Sequence, residues 1–242
     1  MKSLLAPMAA LAVVAGLVTA TPALADPPIG SRIDRSDGGL TGRHNSRNAT
    51  SPRPGIHAYF RCLASLDRGR AREIVDLAYM SDEQQSLIET VGPRSGWSDD
   101  RREDCFSNFG GGGVSMKFDP VSPIGAFAEF LATREFDIED AERIAALTRE
   151  DWKAPALTPR NGSEMIGLCT AQAAGPQVFR LIETEPASVE ESAAMQTIVP
   201  FLGPCLTEGV EVSFDASSLR ALLAHSLFKA LTGMEALGKA QS

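Results

Sequence analysis

Gly113-Val114-Ser115-Met116-Lys117-Phe118-Asp119 returns 96 residues later as Gly209-Val210-Glu211-Val212-Ser213-Phe214-Asp215. This echo decides how the chain is read. It continues through Ser122 and Ser218, Ala128 and Ala224, and Leu131 and Leu227, with 7 identities in 19 positions. A second block aligns Cys62–Thr90 with Cys169–Thr197 at an offset of 107, where Ala64 meets Ala171 and Ser81 meets Ser188. Self-similarity at a fixed period marks a duplicated structural unit, here of roughly 70 residues. Repeat one is placed at about 56–133 and repeat two at about 164–231. The change of offset puts extra residues in the first copy, around Pro93–Asp104 and at Gly110–Gly113.

Each unit is expected to run helix, helix, helix, strand, helix. Ile56, Tyr59, Phe60, Leu63 and Leu66 fall on one helical face, and Ala71, Ile74, Val75 and Ala78 mark a second short helix. Pro176 lies near the start of the equivalent helix in the second copy, where a missing N–H costs nothing. Ser81-x-x-Gln84 and Ser188-x-x-Glu191 are aligned capping boxes opening a third helix. Its inward residues are Leu87, Ile88 and Val91 in one copy and Met195, Ile198 and Val199 in the other. The quoted segment alternates like a strand, so one strand from each copy could pair in a small two-stranded sheet. Asp119 and Asp215 then cap the last helix, which buries Ala126, Phe127, Phe130 and Leu131, or Leu219, Leu222, Leu223 and Leu227. Asp137–Lys153 reads as a connecting helix. The fold class is mainly α with pseudo-two-fold internal symmetry.

Four cysteines follow the repeat, one early and one late in each copy. A unit that keeps its own staple gives Cys62–Cys105 and Cys169–Cys205. No pair has C-x-x-C spacing, so neither a zinc ribbon nor a thioredoxin-like redox site is indicated.

Residues 1–25 read as a signal peptide. Lys2 gives the positive start, Met8–Val18 the apolar run, and Ala23-Leu24-Ala25 the cleavage site, so the mature chain is expected to begin at Asp26. The apolar run is too short to cross about 30 Å of hydrocarbon as a helix. Residues 26–54 are rich in Gly, Ser, Pro and Arg, show no period, and read as a flexible tail. The remaining single domain, 55–242, holds 17 basic and 28 acidic residues, a net charge of −11 against −8 for all 242 residues. That balance excludes nucleic acid, whose phosphates need clustered Lys and Arg. The expected location is periplasmic or secreted.

The duplicated Cys pattern, the Ser-x-x-Glu helix start, Gly203-Pro204-Cys205 and the closing Leu-Arg-Ala-Leu-Leu-Ala of Leu219–Ala224 resemble uncharacterised exported proteins of alphaproteobacteria. The resemblance covers roughly 56–132 and 165–231, its motifs are structural, and it implies no activity.

Reactive chemistry is sparse. His44 lies in the tail, His57 at the start of the first helix, and His225 in the last helix, aligned with Glu129. The H-E-x-x-H, G-x-S-x-G and S-x-x-K motifs are missing. The Gly110–Gly113 run lacks the Lys-Ser/Thr of a P-loop. The acidic runs at Asp99–Asp104 and Glu135–Glu142 lack EF-hand spacing and read as solvated faces. Trp97 packs against the local disulfide or meets a partner. Arg61 and Arg220 could anchor a carboxylate but are expected in helix-surface ion pairs. No metal or cofactor is indicated. The leading reading is a non-catalytic module, structural or binding an unknown protein or small molecule, with no membrane span in the mature chain. The competing reading is a small exported enzyme or ligand-binding protein with a site between the repeats, where Glu129 and His225 are the first catalytic candidates.

Overall fold

The computed structural model describes residues 32–35, 53–91, 105, 114–206 and 212–241. Residues 1–25, read as a signal peptide, most of the stretch read as a tail with His44, the Asp99–Asp104 run, Trp97 and Gly110–Gly113 lie outside the described residues.

The architecture is mainly helical, as expected. Helix α1 (Arg53–Leu66) begins two residues inside the stretch read as tail and buries Ile56, Tyr59, Phe60 and Leu63 along its predicted face. Phe60 stands edge-on to Phe118 and Phe127, a favourable aromatic geometry. Asp67 ends α1 and caps α2 (Arg68–Asp76) by accepting the Arg70 N–H. Helix α3 (Asp82–Glu89) starts at Ser81, whose hydroxyl accepts the Gln84 N–H. The return leg of the box reaches one residue further than the usual pattern. Gln84 Oε1 accepts the N–H of Met80, not of Ser81, at 2.7 Å. Met80 sits at φ 58 to allow this.

Helix α4 (Val121–Glu135) follows the Asp119 cap, whose carboxylate accepts the Ser122 N–H. Helix α5 (Ile138–Ala145) is shorter than the connecting helix expected over Asp137–Lys153. The reason is a second start signal. Thr148 and Asp151 bond reciprocally, backbone N–H to side chain in both directions, and open a separate 3-10 turn at Asp151–Lys153.

Helix α6 (Gly162–Glu183) spans the first two predicted helices of the second copy without a break in the chain. It is kinked at Ala174 (φ −142), two residues before Pro176, which has no N–H to continue the ladder. Helix α7 (Val189–Leu202) repeats the Ser81 arrangement. Ser188 accepts the Glu191 N–H, and Glu191 Oε2 accepts the N–H of Ala187, itself at φ 63. Of the three residues expected inward, Ile198 is buried, Met195 is partly buried and Val199 is exposed. Only Glu191 and Ile198 of α7 are buried, so its inner seam is too narrow to take the neighbouring Val199.

Helix α8 (Ala216–Gln241) closes the fold, with Asp215 accepting the Ser218 N–H. Leu219, Leu222, Leu223, Leu227, Phe228 and Leu231 are buried against α4 and α6. The packing is close enough to need small residues. A Cβ on Gly125 would sit 2.8 Å from Ala221 Cβ, and one on Gly167 would sit 2.0 Å from Ser226 Oγ.

The expected pairing of one strand from each copy is not seen among the described residues, and Gly209, Val210 and Glu211 of the second segment lie outside them. Strand β2 (Val114–Lys117) pairs antiparallel with β1 (Arg32–Arg35), four residues of the stretch read as tail, with Arg32 opposite Lys117. Residues 212–215 form no strand and run irregularly into the Asp215 cap. Backbone pairing needs no apolar side chains, so the polar composition of 32–35 did not forbid it.

Both predicted disulfides form. Cys62–Cys105 and Cys169–Cys205 have Cα–Cα distances of 5.7 and 5.6 Å, ordinary bridge geometry. No helix among the described residues is long and apolar enough to cross a membrane.

Candidate functional site

The buried ionisable residues gather in two clusters. The first is centred on Glu129 of α4, which is 1% exposed. Its Oε1 accepts from Arg220 Nε and its Oε2 from Arg220 Nη2, both at 2.8 Å. Oε2 also lies 2.7 Å from His57 Nε2 of α1. Arg220 of α8, 3% exposed, spends its remaining donors on Thr184 O and Oγ1, at 2.8 and 3.0 Å, and on Glu191 Oε1, at 3.1 Å. Arg53 grips Glu191 from the outer side with Nη1 and Nη2 at 3.0 and 2.8 Å. Arg61 donates to Thr133 Oγ1 at 3.3 Å and stands 4.0 Å from Glu129.

Burial alone would raise the Glu129 pKa. The positive charge of His57 and the hydrogen bonds of Arg220 and His57 overcome it and bring it to about 2. Glu129 is therefore an anion at any ordinary pH, with both oxygens committed. It can orient an imidazole or a guanidinium, but it cannot serve as a general acid.

The second cluster is centred on Glu164, at the start of α6. Its oxygens accept from the N–H of Tyr79 at 3.0 Å, from the backbone N–H and Nη2 of Arg160, both at 2.8 Å, and from Lys229 Nζ at 2.6 Å. Burial pushes its pKa up, but these donors hold it at about 2. Arg160 also donates to the carbonyls of Asp76 and Leu77 beyond the end of α2. His225 lies here. It is fully buried, its Nε2 is 3.2 Å from Leu77 O, and its ring is 5.2 Å from that of Tyr79. Burial lowers its pKa to about 4, against the opposing pull of Glu164 and Leu77 O. The ring is neutral near pH 7, and Nδ1 is buried without a hydrogen-bond partner.

The two catalytic candidates thus have separate partners. Glu129 meets His57 and Arg220, whereas His225 meets Leu77 and Tyr79. Arg220 is a correction to the sequence reading: it is not in a surface pair but in a buried one, because α8 passes through the middle of the fold. Sequence reasoning missed Glu164, Arg53, Arg160 and Lys229. Arg53 and Arg160 fell in stretches read as tail and loop, and Glu164 and Lys229 carry no local mark of their burial.

Among the described residues no group of three or more His, Cys, Asp or Glu could hold a metal ion. Comparison with protein-family models, curated proteins and solved structures finds no match for this chain.

Proposed function

We propose that the protein is an exported, internally duplicated, disulfide-stapled helical module that works by binding a partner and has no catalytic activity of its own. The observation that carries this reading is the saturation of the buried carboxylates. Both oxygens of Glu129 and both of Glu164 are consumed by donors of the chain itself. Such groups tie helices together and have no remaining capacity to move a proton on a substrate.

Several matched features support the duplication and a pseudo-two-fold relation. Met80 and Ala187, both at positive φ, are 107 residues apart and precede the same cap. The break at Asp67 and the kink at Ala174 have that same separation. Gly125 and Ala221, aligned at the offset of 96, touch each other, as equivalent residues must where a two-fold axis passes. Across the copies the acid and the imidazole exchange places: His57 with Glu129 in one, Glu164 with His225 in the other. The second cluster draws on α6, α8 and the turn after α2, and the first draws on α1, α4 and the turn after α6 together with Arg220 of α8 and Glu191 of α7.

The test is a turnover screen of the purified mature chain against ester, peptide, glycoside and phosphoester substrates. The expected result is no turnover above the uncatalysed rate. Turnover abolished by Glu129→Gln or His57→Gln in a protein that still unfolds cooperatively would overturn the reading. Export is tested by N-terminal sequencing of the periplasmic or released chain, with Asp26 expected first and Met1 contradicting it.

A further inference from the structure

On that binding reading, we propose that His57 and Arg61 of α1, with Arg53 one turn before them in the same row, form a site for an oxyanionic group, phosphate or carboxylate, on a small molecule. Residues four apart stack on one helical face at about 6 Å intervals, so the three basic side chains form a single row. The row is open to solvent. Their side chains are 26%, 15% and 34% exposed, whereas Glu129 behind them is 1% exposed.

Two of the three, His57 and Arg61, keep donors that the buried carboxylates do not take, whereas Arg53 is committed to Glu191 through both terminal nitrogens. Glu129 is already held by the two-pronged contact of Arg220, and Glu191 is neutralised between Arg53 and Arg220. Arg61 therefore stands off at 4.0 Å from Glu129 and makes a single 3.3 Å bond to the Thr133 hydroxyl. A guanidinium carries five N–H donors in a planar fork that matches phosphate and carboxylate oxygens. His57 has Nε2 on Glu129, which leaves Nδ1 for a ligand or water.

The second cluster shows that the scaffold does not require this row. At the positions aligned with 53, 57 and 61 it has Arg160, Glu164 and Leu168. There the pattern of a buried carboxylate held by cations is complete without a third basic residue on the helix, and Leu168 is buried. Arg61 is thus additional to what packing requires.

The experiment titrates inorganic phosphate and, separately, succinate into the full mature chain, with NMR of the His57 ring and the Arg61 side chain. Saturable shifts at both residues are expected with at least one probe. A response to phosphate alone or to succinate alone supports the site and identifies the group it takes. Arg61→Gln is expected to weaken binding about tenfold, the loss of one charge-assisted contact, with the unfolding midpoint unchanged. Arg61→Lys is expected to fall between. Arg143→Gln, an exposed arginine elsewhere, serves as control. Absence of shifts with both probes, or equal weakening by Arg143→Gln, overturns the site and leaves the binding reading intact. Turnover in the screen above overturns that reading and leaves these shifts to be judged separately.

Discussion

Glu129 and Arg220 face each other through two parallel hydrogen bonds of 2.8 Å, although 91 residues separate them and both are buried. Removing one partner leaves the other charge unpaired in the interior. Arg220→Met is expected to cost about 3–5 kcal/mol of stability, as breaking a buried ion pair does. It exposes two acids to that penalty, Glu129 and Glu191. Urea unfolding monitored by circular dichroism measures the loss, and a cost under about 1 kcal/mol would show that the pair is not structural.

His225 predicts an acid limb. Its folded pKa is depressed to about 4 from an ordinary 6.5, so the unfolded chain binds more protons between those values. Stability from this residue is complete above about pH 6.5 and is lost as pH falls toward 4. Glu129 and Glu164 act lower. Both are held at about 2, so their contribution is present above the usual carboxylate range and is lost as pH falls toward 2. His225→Leu is expected to flatten the stability profile between pH 4 and 6.5. A profile with an unchanged slope there contradicts the assignment to His225.

The contact between Gly125 and Ala221 predicts a rescue. Gly125→Ala puts a methyl 2.8 Å from Ala221 Cβ and is expected to destabilise by about 1–3 kcal/mol, the usual cost of overpacking. Adding Ala221→Gly removes the methyl contact but leaves the backbone Cα of residue 221 at 3.0 Å, so it should restore part of the loss, less the helix penalty of about 1 kcal/mol for glycine. Additive losses in the double variant would mean that these residues do not meet.

Ala187 is exposed and sits at φ 63, a conformation that costs a non-glycine residue about 1–2 kcal/mol. Ala187→Gly is expected to be neutral or to raise stability by up to about 1 kcal/mol. Met80→Gly relieves the same strain but removes a side chain packed on the core, so it is expected to lose stability. Thermal unfolding of the two variants, with opposite signs, checks the pair.

The bridges close loops of 43 and 36 residues. In the chain-entropy model each stabilises by about 4 kcal/mol. Reductant is expected to lower the unfolding midpoint markedly. Non-reducing peptide mapping should recover Cys62 with Cys105 and Cys169 with Cys205; a Cys62–Cys169 peptide contradicts both the pairing and the structure.

What the sequence made legible was local. Caps at Ser81, Asp119, Ser188 and Asp215 depend on residues three apart, and the apolar stripes of α1 and α8 depend on helical period. Even the premature end of α5 was written locally, since Thr148-x-x-Asp151 is itself a capping box. What stayed hidden was partner choice at long range. Glu129 has the same charge as more than twenty other acids in the body, and nothing in its neighbourhood names His57, 72 residues away, or Arg220. Arg220, expected in a helix-surface ion pair although near the predicted core, is buried. Its burial follows from the route of α8, which only the assembled fold reveals.

That route has a mechanical consequence. Where Gly125 meets Ala221 and Gly167 meets Ser226, α8 lies almost backbone to backbone against both α4 and α6. No long side chain sits at those crossings to swing aside as a hinge would require. Sliding α8 by one residue would drive bulkier groups into the same gaps. The long final helix is a spindle clamped from two sides, and the described helices offer no hinge at either crossing.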